Sequence, residues 1–389
     1  TPIINMLIGF FMGISTGAGV VIAQFFGAGN TCKMKRAIHN SIALTLVMGV
    51  VLTIVGLLFN DPILKAIGVP SEVFSEASTY LSIYFWSLIF VMVYNMGSGI
   101  LRSVGDSKRP LYFLIFSSVV NIILDFLFVK YFHFGVAGAG YATLIAQAIS
   151  AIMVMYVLMK TEDDYKVVLK EIGFDKEILL KIIKIGLPTG FQQSIVSLSN
   201  VIVQSYINVY GASVIAGYSV TIKIDGFVNL PLQAFNMAIT TFVGQNIGAK
   251  QYNRVKKGAY ITTFLAMVTI GFFVVIMYFF GRDFIALFNQ EKDVIDAGRL
   301  MQLTFLPFYI FLPINQVING VLRGAGRSAV PMYVMIFSFV FLRQIYLFLV
   351  TKVTSDIVYV FLGWPTTWVV CSLIFIVYFF KVKWLPQEK

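Results

Sequence analysis

Gln24-Phe25-Phe26-Gly27-Ala28-Gly29-Asn30-Thr31-Cys32-Lys33-Met34-Lys35-Arg36 returns 221 residues later as Gln245-Asn246-Ile247-Gly248-Ala249-Lys250-Gln251-Tyr252-Asn253-Arg254-Val255-Lys256-Lys257. Gln24, Gly27 and Ala28 meet their own kind, and Lys33, Lys35 and Arg36 meet Arg254, Lys256 and Lys257. A second stretch keeps the same offset. Gly99, Leu101, Arg102, Gly105, Ser107 and Pro110 fall on Gly320, Leu322, Arg323, Gly326, Ser328 and Pro331. Two separate loops sharing one offset mark an internal duplication, since basic glycine-bearing turns that are alike only in composition have no reason to share a register.

Both loops lie between long apolar runs. Of the 389 residues, 58% are apolar and 12% charged, against roughly 45–50% and about 25% in soluble domains. That balance excludes a soluble enzyme. A net charge of +11 in a soluble chain would suggest nucleic acid as partner. In a membrane protein it follows instead from Lys and Arg collecting in cytoplasmic loops. Cys32 and Cys371 are too far apart in sequence to read as a disulfide framework, and His39 and His133 are the only histidines, so a zinc site is not expected. The chain opens on Thr1 and an apolar run, and a cleavable signal peptide is not expected.

A membrane-crossing helix needs about 20 mostly apolar residues. Eleven runs qualify, near residues 2–26, 38–59, 78–101, 111–130, 136–159, 182–208, 213–243, 258–280, 300–322, 330–350 and 357–380. Sorting the basic residues by alternate loops puts 21 of the 29 on one side, from Lys33 through the cluster Lys160–Lys184 to Lys389. Six fall on the other, Lys65, Lys130, Arg282, Lys292, Arg299 and Lys352, and Lys223 and Arg343 lie inside spans. The asymmetry predicts a cytoplasmic C-terminus and, with an odd number of spans, Thr1 at the outer face.

Matching loops on one side make the halves parallel repeats, related by an axis along the membrane normal. The counterpart of the run near 182–208 then falls before residue 1. A parent of twelve spans, six plus six, is expected, with its first helix absent from this chain. The expected organisation is an N-terminal lobe over 1–159, a charged cytoplasmic linker over 160–184, and a C-terminal lobe over 185–389.

The repeated loops, with Gly186-Leu187-Pro188 and Gly135-Val136-Ala137-Gly138-Ala139-Gly140, resemble the MATE (multidrug and toxic compound extrusion) family over essentially the whole chain. The resemblance implies an all-α polytopic membrane protein in which two six-helix lobes enclose a cavity that opens alternately to either side. It also implies a cation-coupled antiporter of the inner or plasma membrane that exports organic cations, is not an enzyme, needs no cofactor beyond a coupling ion, and works as a monomer in the bilayer without nucleic acid.

An ionisable group inside a membrane costs about 2.5–3.5 kcal/mol on insertion scales, so each is a functional candidate. Asp125 lies six residues before Tyr131, about 9 Å below the end of its helix at 1.5 Å per residue. Asn121, four residues earlier, shares its helix face. Asn121, Asp125 and Thr143 match a cation site in the N-terminal lobe of some family members, where a further Asp comes from the first helix, the one expected to be missing here. Asp, Asn and Thr oxygens suit Na+, and a desolvated carboxylate suits H+. Proton or Na+ uptake would remove the charge that holds a cationic substrate. The alternative for Asp125 is structural, as a partner of Lys130. Acids that other members carry in the second half are replaced here by Val196 and Leu312, so a second-lobe site on those positions is not expected.

Lys223 and Asp225 lie mid-span two residues apart and cannot face each other on a helix. They either shape a cavity or, like Arg343, make buried ion pairs. Gly9, Gly13 and Gly17 allow close helix packing. Pro188, Pro231, Pro307 and Pro313 invite bends. No nucleophile with a base, HExxH pair or phosphate loop appears, and a two-fold repeat offers no four-fold pore. The alternatives to a multidrug antiporter are a lipid-linked precursor flippase of the same superfamily and a truncated fragment that does not transport.

Overall fold

The structure is a computed structural model that describes residues 2–66 and 68–385, with side chains from residue 9 onward. Among the described residues every regular element is a helix. In hydrocarbon an open strand or loop would leave amides and carbonyls without partners, and a helix satisfies them within itself.

The chain runs through α1 (Pro2–Gly27), α2 (Thr31–Leu58), the short α3 (Asn60–Ala66), α4 (Ser71–Ser103), α5 (Lys108–Asp125) and α6 (Gly135–Lys160). After the linker come α7 (Lys176–Ile207), α8 (Ala212–Gly248), α9 (Tyr252–Ala286), α10 (Lys292–Phe305) and α11 (Phe311–Gly324). It ends with α12 (Ala329–Ile336), α13 (Arg343–Val353), α14 (Ile357–Phe361) and α15 (Gly363–Lys381). Two π-helical segments, Phe126–Tyr131 and Phe337–Leu342, prolong α5 and join α12 to α13. These helices correspond under the 221-residue offset, so each repeat carries a π segment in the same helix.

Among the described residues eight helices are long and apolar enough to cross a membrane, and nine if a bent pair forms one span. The bent pair is Lys292–Phe308 with Phe311–Gly324, which meet at 59° beside Pro307, as expected where proline removes a backbone donor. Two of the eleven expected runs fall short of that measure although they form helices of 32 and 37 residues, α7 and α8. The reason is polar content: Gln192, Gln193, Asn200 and Gln204 interrupt α7, and Lys223, Asp225, Asn229, Gln233 and Asn236 interrupt α8. Pro188 and Pro231 lie inside these same helices.

The loops repeat to the level of single hydrogen bonds. Asp106 N–H donates to Leu101 O at 2.9 Å, and Arg327 N–H to Leu322 O at 2.9 Å. Gly105 and Gly326 between them have φ of 97° and 76°, the left-handed C-terminal cap that glycine adopts without strain. At the other loop Asn30 N–H donates to Phe25 O at 3.0 Å and Gln251 N–H to Asn246 O at 2.8 Å.

The helices sort into two compact units, Ile14–Ile183 and Lys184–Lys389 with Thr1–Gly13. In the first, α4 packs on α2 and α6, and α6 on α5. The outward side of α5 is apolar: Leu111, Ile115, Val119 and Ile122 are all exposed, as suits a lipid-facing surface. The linker is tied to α2. Asn40 Nδ2 donates to Asp175 O at 2.8 Å, Val168 N–H donates to His39 Nε2 at 2.9 Å, and Lys35 pairs with Asp164 at 3.2 Å.

In the second unit α8 packs against α9, α10 and α11, and α11 against α15. Close helix approaches rest on glycine. A Cβ on Gly13 would fall on the backbone of Gly190 and Thr189, and one on Gly217 would meet the amide of Gly298 at 2.7 Å. Gly271 in α9 has nothing within 4 Å. Gly13→Ala is therefore expected to destabilise the protein by about 1–3 kcal/mol through overpacking, whereas Gly271→Ala stabilises by about 0.5–1 kcal/mol through helix propensity. Thermal midpoints of the purified variants in detergent check this; equal shifts of one sign would show that the glycine contact does not set the helix spacing.

Candidate functional site

Asp125 is the last residue of α5, and the π winding begins at Phe126. This six-residue π segment forms the end of the helix, capped at Phe132, so Asp125 sits where the backbone winding changes. Asn121 and Asp125 are partly buried on the inner side of α5, between exposed Ile122, Ile123 and Phe126. Asp125 Oδ1 and Asn121 Nδ2 are both buried atoms with no hydrogen-bond partner among the described residues. A buried polar atom left unsatisfied costs about 1–3 kcal/mol.

Thr143 sits on α6, which packs against α5. Its hydroxyl donates to Ala139 O of its own helix at 3.0 Å, which leaves the lone pairs of Oγ1 able to accept. Among the described residues no hydrogen bond joins Thr143 to Asn121 or Asp125. Lys130 is not the partner of Asp125 either: its ammonium lies 4.7 Å from the Phe126 ring centroid, and no ion pair joins the two among the described residues. The three sequence-selected residues thus stand on adjacent helices, two of them with unmet hydrogen-bonding capacity. The described residues contain no cluster of three or more His, Cys, Asp or Glu side chains able to hold a metal ion.

Lys223 and Asp225 separate onto different sides of α8, as their spacing requires. Lys223 is exposed, with Nζ 6.0 Å from the Phe288 ring centroid. Asp225 is buried and accepts a hydrogen bond from the hydroxyl of Tyr309. Tyr309 in turn stacks on Trp368, with centroids 5.6 Å apart and planes at 24°.

Arg343 begins α13 directly after the second π segment and is 2% exposed. Its partners are neutral. Nη1 donates to Asn200 Oδ1 at 3.0 Å and Nη2 to Thr367 Oγ1 at 3.1 Å. The guanidinium also lies 5.0 Å from the Phe339 centroid and 5.5 Å from that of Trp364, close enough for the ring quadrupoles to stabilise the cation. The expected ion pairs of Asp225 and Arg343 are therefore absent among the described residues. A donor hydroxyl serves the acid, and amide, hydroxyl and aromatic faces serve the base. Arg323 behaves likewise. Counted from sequence as a loop residue, it is buried at the end of α11 and bonds to Asn236 Oδ1 at 3.2 Å and Asn319 Oδ1 at 3.1 Å.

Sequence reasoning missed Tyr309, Asn200, Thr367 and the two tryptophans. One signal was present: Trp364 and Trp368 are four apart and so share a helix face. Nothing local marks Tyr309, whose role comes from α8 lying opposite it. Because Tyr309 supplies the hydrogen bond to a buried carboxyl group, Tyr309→Phe is expected to destabilise the protein by about 1–3 kcal/mol. The same change in an Asp225→Leu background should cost less, and additive thermal shifts in this double-mutant cycle would contradict the coupling.

Comparison with known proteins agrees with this architecture. The MatE family model matches residues 1–127 and 188–349. The probable multidrug resistance protein YoeA of Bacillus subtilis is 30% identical over 396 residues, covering 100% of this chain and 85% of its own. The probable multidrug resistance protein NorM of Thermotoga maritima is 28% identical, covering 95% and 81%. Among solved structures, a multidrug resistance MATE family transporter of the MOP superfamily in an outward-facing conformation superposes with a TM-score of 0.92 at 23% identity, covering 100% and 87%. A MOP superfamily transporter from Pyrococcus furiosus gives 0.92 at 22%, covering 97% and 85%. The duplicated loops, the all-helical fold and the family match over both halves lead to one assignment: the chain belongs to the MATE family of membrane transporters.

Proposed function

We propose that this chain is a secondary active antiporter that exports amphipathic organic cations in exchange for H+ or Na+, by alternating access between an N-terminal lobe (1–159) and a C-terminal lobe (185–389) joined by the linker 160–184. The observation that carries the reading is the pair of buried, unpartnered polar atoms on Asn121 and Asp125 at the onset of a π segment. A proton on Asp125 converts an unmet acceptor into a donor and removes its charge. Na+ achieves the same neutralisation through oxygens of Asp125, Asn121 and Thr143. Either event releases a cation held by the carboxylate, which makes ion entry and substrate exit alternatives at one group.

The relatives named as multidrug resistance or export proteins, including MepA of Staphylococcus aureus at 24% identity, support multidrug export as the activity. Orientation with the C-terminus in the cytoplasm rests on the loop charge asymmetry. The chain acts as a monomer in the cell membrane and carries out no covalent chemistry on its cargo.

Reconstitution in vesicles tests this. Efflux of a cationic dye is expected under an imposed H+ or Na+ gradient, one ion at a time, and the gradient that supports it names the coupling ion. Asp125→Asn should abolish coupled efflux while leaving expression and thermal midpoint near those of the parent. Transport by that variant at the parent's rate would overturn the role of Asp125.

A further inference from the structure

We infer that a cleft at the ends of α8, α9 and α15 is a binding site for a phosphate group, and that its occupant is the headgroup of an anionic phospholipid. The cleft, of about 820 Å³, is lined by Lys250, Lys256, Lys381 and Lys383 with Tyr252 and Trp384 among the aromatic side chains beside them. Among the described residues no acidic residue lines it, and none of the four lysines is in an ion pair. This site is independent of the transport reading.

The cleft is built, not merely a place where loop lysines gather. Trp384 is 4% exposed, its indole N–H donates to Phe379 O at 3.0 Å, and its ring lies 5.0 Å from that of Phe379. These contacts fold the chain after α15 back on the helix end and fix Lys381 and Lys383 on one wall. On the other wall, the 221-residue repeat supplies an internal control. Gly29 occupies the left-handed backbone region at φ 64° in the first half, and Lys250 occupies it at φ 56° in the second. A lysine in that conformation is strained where glycine is not. Charge collected for orientation alone has many unstrained positions in these loops.

The next position differs in the same sense. Asn30 caps α2, its Oδ1 accepting from Lys33 N–H at 3.0 Å. Its counterpart Gln251 makes no side-chain cap for α9, so the first-turn amides of α9 open beside Lys250 and Lys256. Amides at a helix start and flanking lysines together suit phosphate oxygens.

Position favours a lipid over a soluble phosphate compound. The cleft lies where two candidate membrane spans end, and the rings of Tyr260 on α9 and Phe379 on α15 are 6.2 Å apart just beneath it. Below it Tyr260 and Phe264 on α9, and Val377 and Phe380 on α15, are exposed apolar side chains that acyl chains can cover.

Native mass spectrometry of the purified full chain, delipidated and then offered phosphatidylglycerol, phosphatidylcholine or inorganic phosphate, tests the site. Phosphatidylglycerol should be retained over phosphatidylcholine, and millimolar inorganic phosphate should not displace it. Displacement by inorganic phosphate would keep the phosphate chemistry and assign the site to a soluble compound. Lys250→Gly should weaken phosphatidylglycerol retention about fivefold, the effect of one lysine near an anionic surface, without lowering the thermal midpoint of the delipidated protein, since glycine fits that backbone. Lys292→Gln, on a distant helix start, should leave retention unchanged. Unaltered retention by the combined Lys250→Gly, Lys256→Gln and Lys383→Gln variant, or equal retention of the two lipids, would overturn the proposal.

Discussion

Hydrocarbon offers no hydrogen-bond partner, and this governs both the backbone and the few charges that the protein carries inside its spans. The backbone answers with helices whose ends are closed by repeated hydrogen bonds, Asp106 to Leu101 and Arg327 to Leu322 among them. The charged side chains find donors and acceptors nearby: Asp225 takes the Tyr309 hydroxyl, and Arg343 and Arg323 take amide and hydroxyl oxygens. Asp125 and Asn121 differ in degree: Arg323 and Arg343 leave only Nε unpaired, whereas buried atoms on Asp125 and Asn121 lack partners and no side-chain hydrogen bond to either residue is found among the described residues. A charge that the fold has satisfied is fixed. The proposed ion coupling rests on one left unsatisfied.

The two halves share loop geometry and differ in polar chemistry. The first places an acid immediately before its π segment, and the second places an arginine immediately after its own. Substitutions at matched loop positions follow the same logic. Gly29 and Lys250 hold one backbone conformation, but only the second brings a cation, and Asn30 caps its helix where Gln251 does not. A duplicated fold thus keeps the turns that set helix direction and allows the side chains on them to diverge, since the backbone hydrogen bonds of a turn are indifferent to most side chains.

Much of the fold was legible in the sequence because lipid imposes a simple code. Long apolar runs gave helices, and the repeated glycines at Gly105 and Gly326 marked the turns. α7 and α8 form where runs near 182–208 and 213–243 were expected, and although glutamines, asparagines and charged residues dilute their apolar signal both helices are long enough to span. Among candidate residues, Asp125 stands out in the sequence as a carboxylate within an apolar run and Asn121 by its spacing to it, whereas Thr143 was named through the family resemblance. The partners of Asp225 and Arg343 were not legible. The ion pairs anticipated for them do not form among the described residues, and the neutral groups that replace them come from 24 to 143 positions away.

The sequence by itself determined membrane residence, helix placement and the duplication, because each depends on composition or on spacing along one chain, and its loop motifs resembled one family closely enough to name it. Only the tertiary structure decided which polar atoms remain unmet, where Arg323 is buried, and how lysines from two chain segments line one cleft. Those depend on what lies across from a side chain, and packing between helices distant in sequence sets that.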